Sequence, residues 1–355
     1  MDAALIDAFN LSRDFTDKAV HSLCYAPHTS LYFDTRGNVR ACCYNFNFPA
    51  GNISEADIDT IWHGAKLQML RDALQDDRFG PGCEFCENRL ATGVLDNLSF
   101  RNYDAFSLSG ALPEWPQQME FSISNACNLE CIMCRGQWSS AIRKRREKLP
   151  PLPHFYKSDF IESLRKYLPH LKRIKFLGGE PFLIRQYFQL WEMMIAENQP
   201  VASHVTTNGT QYNRRIARVM EHIPVGFAVS LDGATKATVE AIRVNANFAE
   251  QMRNVARFRS YARERRTAFS LTFCLMRQNW HEFGEFCLLA DSLDCPVGIN
   301  TVLDPPEFGV YTLPVTELSI IVRQMECQAS SLEAQLGRNR GVWFGELERM
   351  RRHLV

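Results

Sequence analysis

Met119-Glu-Phe-Ser-Ile-Ser-Asn-Ala-Cys127-Asn-Leu-Glu-Cys131-Ile-Met-Cys134 is the stretch whose reading decides the fold. Met119 to Ser124 alternates apolar and polar residues and predicts a strand. A loop with three cysteines in CxxxCxxC spacing follows it directly. Downstream, strand and helix alternate. RIKFLGG (173–179), HVTTNG (204–209), VGFAVSLDG (225–233), FSLTFCLM (269–276) and VGINTVL (297–303) read as strands. Helices are expected at 183–197, 211–222, 235–262 (with a break near Asn245-Ala246-Asn247) and 280–293. Another is expected at 160–168, opened by Asp159 and Glu162. About six β/α units imply a parallel sheet with right-handed crossovers. Eight would close a full barrel, so the expected class is α/β, a partial (β/α)6 TIM-type barrel. The tail from 315 has Leu318, Ile321, Val322 and Met325 on one helical face.

Upstream the texture differs. Residues 1–22 read as a helical lead. LYFD (31–34) and NVRACCY (38–44) read as strands joined by a turn at 35–38. Ser54 with Asp57 opens a helix with Ile58, Ile61, Trp62, Ala65 and Met69 on one face. Gly80-Pro81-Gly82 leads into Cys83-Glu-Phe-Cys86. Residues 87–118 are irregular and end in Leu112-Pro-Glu-Trp-Pro116, which reads as a linker. The expected division is an N-terminal α+β region at 1–92, a linker at 93–118, the β/α core at 119–305 and a helical extension at 306–355.

Composition sets the class. Of 355 residues 46% are hydrophobic and 23% charged, as in an ordinary globular protein. Forty basic residues balance forty acidic ones, which argues against nucleic-acid binding driven by overall charge. No apolar run reaches the ~20 residues of a membrane span, and the acidic, weakly apolar N-terminus lacks the form of a secretion signal. The sequence reads as cytoplasmic, with no membrane partner expected.

Twelve cysteines stand out. In a reducing compartment clustered cysteines point to metal or redox chemistry. Cys274, Cys287, Cys295 and Cys327 are scattered among apolar residues and read as small buried hydrophobes. The basic run Arg143–Lys148, stopped by Pro150-Pro-Leu-Pro153, reads as a solvated helix face or a contact for an anionic substrate.

Three thiolates on one loop can hold three irons of a [4Fe–4S] cube and leave the fourth iron without a protein ligand, whereas electron-transfer clusters mostly use four cysteines. A zinc site is the competing reading of such a loop, but zinc sites usually take four protein ligands from paired motifs. The loop lies at a strand C-terminus, where ligands bind in such folds.

The sequence here resembles the radical S-adenosylmethionine (radical SAM) superfamily. The resemblance rests on Cys127, Cys131 and Cys134, then Gly178-Gly179-Glu180-Pro181, Thr207-Asn208-Gly209 and Ser230-Leu231-Asp232-Gly233, each at a strand end. It implies that the open iron binds SAM, and that reductive cleavage gives a 5′-deoxyadenosyl radical that abstracts hydrogen from substrate. It also implies that Gly178 and Gly179 allow close backbone approach and that Glu180 accepts a hydrogen bond from the SAM ammonium. Asn208 belongs to the same SAM-binding set. Ser230, Arg243 and Asn279 match carboxylate or ribose contacts, and Met133 matches the position that packs on adenine. Arg243 also reads as a surface helix residue, and Asp232 as a turn former.

Cys24, Gly37, Cys42 and the Cys83-x-x-Cys86 pair resemble the twitch (half-SPASM) module of the same superfamily. This implies a second, fully ligated [4Fe–4S] cluster; four-cysteine zinc would satisfy the same thiols. The module precedes the core here, whereas in the better-known relatives it follows. Cys43 competes with Cys42, although the GxxxxC spacing favours Cys42. His28 and His63 read as packing or surface residues.

The resulting expectation is a radical SAM oxidoreductase with two [4Fe–4S] clusters and SAM. The auxiliary cluster takes an electron from a substrate radical, and the substrate is a small molecule or a peptide. Flavodoxin or ferredoxin would be the electron donor. The alternatives are a redox-neutral radical SAM enzyme, with epimerisation or C–C or C–S bond formation and an anchoring auxiliary cluster, and a non-catalytic iron–sulfur carrier or scaffold.

Overall fold

The computed structural model describes residues 3–13, 20–91, 98–106, 108, 110 and 114–354. The chain divides into two compact units. The first contains 1–124, 152–178 and 186–203, and the second 125–151, 179–185 and 204–355.

In the first unit the strand order is β3-β2-β1-β4-β5, with β1 Ser30–Phe33, β2 Asn38–Arg40, β3 Gly51–Asn52, β4 Gln118–Phe121 and β5 Arg173–Phe176. β1 pairs antiparallel with β2 but parallel with β4, and β4 pairs parallel with β5. The sequences SLYF, QMEF and RIKF alternate in phase, so each face of the sheet has its own chemistry. On one face Phe33, Phe121 and Phe176 stand in register. Their ring centroids are 5.0 and 6.2 Å apart, and Phe160 and Trp191 pack on them at 5.6 Å from Phe33 and 4.6 Å from Phe176. Burying each such ring contributes ~1.5–3 kcal/mol. The other face is polar and is taken up below.

The second unit contains β7 Val225–Ser230, β8 Phe269–Leu275 and β9 Val297–Thr301, paired in parallel in chain order. β6 Ala202–Thr207 begins at the division and neighbours β7. Helices separate the strands in sequence, as the β/α reading requires. Among the described residues β9 pairs with no strand on its outer side, so the sheet is open and the α/β partial-barrel class holds. The predicted break at 245–247 is real. One helix ends at Ile242, and Asn247 caps the next, Phe248–Arg265, by accepting the Glu250 N–H at 2.9 Å. The tail helix Val315–Gln335 buries Leu318, Ile321, Val322 and Met325 as its spacing predicts.

Several local expectations need correction. The strand expected through Tyr44 stops at Arg40, because the chain turns at Cys42, where the Asn45 N–H donates to the Cys42 carbonyl at 3.3 Å. The helix opened by Asp57 ends at Trp62, and a second helix, Ala65–Gln75, starts after Gly64. This break changes the buried face to Leu67, Leu70 and Leu74, leaving Ala65 and Met69 exposed. The helix expected at 160–168 is an α-helix Ser158–Ser163 continued by a 3-10 helix Leu164–His170, with Pro169 inside the last turn. Cys287 and Cys295 are buried as expected, but Cys327 is exposed and Cys274 only half-buried. Part of the expected linker lies outside the described residues.

Candidate active site

The three-cysteine loop belongs to the second unit. Its backbone is held from several sides. Ser140 Oγ accepts the Cys127 N–H at 3.1 Å, and Ser139 Oγ donates to the Leu129 carbonyl at 2.7 Å. Asn125 Nδ2 reaches the Gly136 carbonyl at 2.8 Å. The Glu130 and Ile132 N–H groups donate to the Val244 and Ile242 carbonyls at 3.0 and 2.9 Å. That last pair sets the helix end carrying Arg243 beside the loop. Arg243 is therefore buried, not a surface residue. Its Nη1 lies 3.9 Å from Cys131 Sγ and its Nη2 2.6 Å from Asp232.

Burial raises the Cys127 thiol pKa, and pushes Cys131 up to about 11 and Cys134 up to about 12; Arg243 opposes all three shifts. Thiols in such surroundings become thiolates when a metal centre supplies the compensating charge. The donor set therefore fits a cluster.

Gly178 has φ +102°. A Cβ at Gly179 would come within 2.4 Å of the Ala126 carbonyl oxygen, so only glycine lets this backbone lie against the cysteine loop. The Glu180 N–H then donates to that carbonyl at 2.7 Å. The Glu180 carboxylate is fully buried. It accepts from Thr207 Oγ1 at 2.8 Å, the Asn208 N–H at 2.7 Å and the Phe182 N–H at 3.2 Å. Burial pushes its pKa up to about 7, against the lowering effect of those hydrogen bonds and of Arg243. A cation beside it would draw the pKa back down.

Asn208 Nδ2 lies 3.9 Å from Cys127 Sγ and 3.1 Å from Asn128 Oδ1. Ser230 ends β7, half-buried. Asp232 adopts φ +65°, as its turn-forming reading implies, and accepts the Cys274 N–H at 2.7 Å. Asn279 is fully buried and braces this region. Its Nδ2 donates to the Asp232 and Cys274 carbonyls at 2.9 and 3.0 Å, and its Oδ1 accepts the Met276 N–H at 2.8 Å. Both Asn279 amide hydrogens are thus engaged within the protein. Met133 packs with Ile242, Met276 and Val302. Cys274 joins the same cluster, and Asn300 Nδ2 lies 3.9 Å from its sulfur. From sequence alone this cysteine reads as ordinary core; only the fold places it beside Asp232 and Asn300.

The second constellation lies in the first unit. One cavity is lined by Cys24, Cys42, Cys83 and Cys86, with walls that include Leu70, Leu74, Phe79, Phe100 and Tyr103. Cys43 is not part of that lining. Burial, with repulsion from Glu120, pushes its pKa up to about 12, while Lys175 lowers it. Burial and mutual repulsion raise Cys24 and Cys42 well above the ordinary thiol range; burial pushes Cys83 up to about 11 and, with repulsion from Cys83, Cys86 up to about 12. Asn45 Nδ2 stands 3.9 Å from Cys83 Sγ, and the Ala26 N–H donates to Cys24 Sγ at 3.4 Å. Among the described residues no three cysteine, histidine or carboxylate side chains stand in the geometry of a single bound ion. The shared cavity wall is what collects these four thiols. His63 is exposed, while His28 is fully buried, outside the cavity lining.

The sequence reading missed the polar face of the first unit's sheet. Ser30, Gln118 and Arg173 form one cross-strand rung, and Tyr32, Glu120 and Lys175 the next. Arg173 Nε donates to Gln118 Oε1 at 2.5 Å. Glu120 Oε1 accepts from Tyr103 Oη at 2.9 Å, Gln118 Nε2 at 2.5 Å and Lys175 Nζ at 3.3 Å. Tyr103 also lines the four-cysteine cavity, so this network reaches its wall. Among the described residues Arg173 Nη2 has no hydrogen-bond partner, so the ladder is satisfied around Glu120 but not throughout. The in-phase alternation of SLYF, QMEF and RIKF was the available signal.

Residues 121–290 match the family model "Radical SAM superfamily", and residues 24–87 match the model "Iron-sulfur cluster-binding domain" (SPASM). A curated relative, mycofactocin maturase MftC of Mycobacterium ulcerans, is 27% identical over 177 residues, which is 50% of this chain and 44% of that protein. The chain thus spans under half the length of this relative. Among solved structures, Streptococcus suis SuiB bound to precursor peptide SuiA superposes with TM-score 0.45 at 13% identity, covering 74% of this chain and 56% of that one. Native anSMEcpe with bound AdoMet gives 0.41 at 19% identity, covering 53% and 52%.

Proposed function

Starting from a chain that belongs to the radical SAM superfamily and carries a SPASM-type iron–sulfur domain ahead of its core, we propose that it oxidises a small molecule or a peptide through a substrate radical. It is a radical SAM enzyme with [4Fe–4S] clusters, and the second match takes the four-cysteine module away from the zinc reading. Cys127, Cys131 and Cys134 would hold one cluster, and Cys24, Cys42, Cys83 and Cys86 the other. Bound there, the first supplies the electron that cleaves SAM, and the second can take one from substrate.

The chain's own residues position the rest. Glu180, held by three donors, presents a buried carboxylate to the SAM ammonium. Arg243, fixed by Asp232, places a cation beside Cys131. Gly178 and Gly179 keep the backbone close to the loop. Asn208 orients toward Cys127. Asn279 holds the β7 and β8 loops together, so its part in binding runs through their shape. In this proposal residues 1–92 carry the auxiliary site, 93–118 link it, 119–305 form the core and 306–355 extend it.

The oxidative outcome rests on one observation above the others. The second site has four cysteines around a largely apolar cavity, a set that closes a cluster and leaves no iron for substrate. The maturase named among the relatives is compatible with a peptide or small-molecule substrate. All twelve cysteines are free, which suits a reducing cytoplasm. Among the described residues no helix is long and apolar enough to cross a membrane.

The test is anaerobic incubation of the reconstituted protein with SAM and dithionite. Formation of 5′-deoxyadenosine supports the enzyme reading; its absence, with and without candidate substrates, overturns it. A product lighter by two hydrogens separates oxidation from a redox-neutral outcome.

A further inference from the structure

We propose that the basic face formed by the helix Ser140–Arg145 and the residues after it docks an acidic one-electron carrier protein of the flavodoxin type; this rests on the radical SAM reading above. The chain as a whole has no net charge. Between Arg135 and Leu149, however, it places Arg135, Arg143, Lys144, Arg145, Arg146 and Lys148 against Glu147 alone. Residues 144–150 are all exposed.

The charges are unevenly used. Arg135 pairs with Asp304 at 2.6 Å and Arg145 with Glu130 at 2.9 Å. Glu147 is drawn away by the Gly136 N–H at 2.6 Å. Among the described residues Arg143, Lys144, Arg146 and Lys148 have no carboxylate partner. Glu147 is the one acid a turn away from Arg143 and Lys144, and its carboxylate bonds the Gly136 N–H rather than either side chain.

The face is also attached to the cluster loop. Arg146 Nη1 reaches the carbonyls of Glu130 and Cys131 at 3.3 and 3.4 Å. A protein seated there would contact Arg146, one hydrogen bond from the backbone of a cysteine proposed to hold the SAM-binding cluster. Trp138 is 38% exposed and Leu149 48% exposed, both within the basic stretch. Apolar anchors inside a charged rim are what protein interfaces use, whereas a small anionic substrate needs a concave site.

The proposed chemistry requires a one-electron donor. Each SAM cleavage consumes one electron. A reduced flavodoxin gives it by passing from hydroquinone to semiquinone, and the cluster on Cys127, Cys131 and Cys134 gains it. An acidic carrier meeting a basic face is steered to productive encounters, an effect that salt removes.

The experiment compares two reductants on the reconstituted full chain, read as 5′-deoxyadenosine formed per minute. With a reduced flavodoxin at low salt, Lys144→Glu/Lys148→Glu should lower the rate about tenfold or more, and with dithionite it should leave the rate unchanged. Equal rates for variant and wild type with flavodoxin would overturn the proposal. So would normal flavodoxin rates with loss of turnover of a precursor peptide, which would give this face to the peptide. If the variant fails to take up iron, the wild type alone decides. Its flavodoxin-driven rate should fall steeply with added salt while its dithionite-driven rate stays level, and a flat salt response would overturn the proposal. Absence of wild-type cleavage with dithionite would instead sink the radical SAM reading itself.

Discussion

The two cysteine sites are built by opposite means. The three-cysteine site is one continuous loop with polar groups around it: Asn208 and Arg243 near its sulfurs, and Glu180, whose backbone N–H bonds the Ala126 carbonyl. The four-cysteine site is gathered from segments far apart in sequence, around walls of leucine, phenylalanine and tyrosine. A loop short of one ligand and lined with charge suits a centre that must bind a polar cofactor. Four thiols within a mostly apolar wall suit a centre that exchanges only electrons. The difference in surroundings teaches as much as the difference in ligand count.

The comparison breaks most visibly when either site is emptied. Cys127→Ala/Cys131→Ala/Cys134→Ala should reduce 5′-deoxyadenosine formation to background and leave about four of about eight irons per chain. Cys24→Ala/Cys86→Ala should also leave about four irons but should still cleave SAM. Cys43→Ala should keep all of them, since Cys43 does not line the four-cysteine cavity. Iron and sulfide assays with product chromatography check all three.

His28 tests the packing next to the auxiliary site. Burial and the nearby Arg71 push its pKa down to about 4. The neutral ring is therefore the form the fold favours. Its contribution to stability is present above the unfolded value near 6.5 and is lost as pH falls from there toward 4. The loss is about 3 kcal/mol at its limit. Denaturant melts across this range should show it, and His28→Phe should remove that part of the slope.

Glu180→Gln sharpens the other side. Loss of a charge-assisted hydrogen bond to an ammonium costs about 2 kcal/mol, or roughly thirtyfold in SAM affinity, with iron content retained. Wild-type affinity should rise with pH through about 7, because a cation favours the ionised carboxyl. Equilibrium binding of SAM at pH 6 and 8 measures both effects. The smallest change is expected for Tyr103→Phe, which removes one of three donors to Glu120 and should cost about 1 kcal/mol in thermal or denaturant unfolding.

Local pattern made much of this readable. The alternation of strands with amphipathic helices gave the α/β class, the cysteine loop stood out by spacing and chemistry, and Gly178-Gly179-Glu180 by its resemblance to a family motif. What the sequence concealed depends on partners far along the chain. The parallel pairing of β1 with β4 joins residues 88 apart, and no local signal encodes it. The polar rung Tyr32–Glu120–Lys175 exists only once register is fixed. Arg243 looks like any helix-end arginine until Glu130 and Ile132 pin that helix end to the cluster loop. Gly64 divides one expected helix in two, which a face drawn from 3.6-residue spacing alone cannot show.

The most direct test of the open-site and closed-site account is electron paramagnetic resonance of the reduced protein with and without SAM. In Cys24→Ala/Cys42→Ala/Cys83→Ala/Cys86→Ala, the remaining cluster signal should shift when SAM is added. In Cys127→Ala/Cys131→Ala/Cys134→Ala, the remaining signal should be indifferent to SAM. A SAM-sensitive signal from the four-cysteine cluster, or an insensitive one from the three-cysteine cluster, would contradict the account.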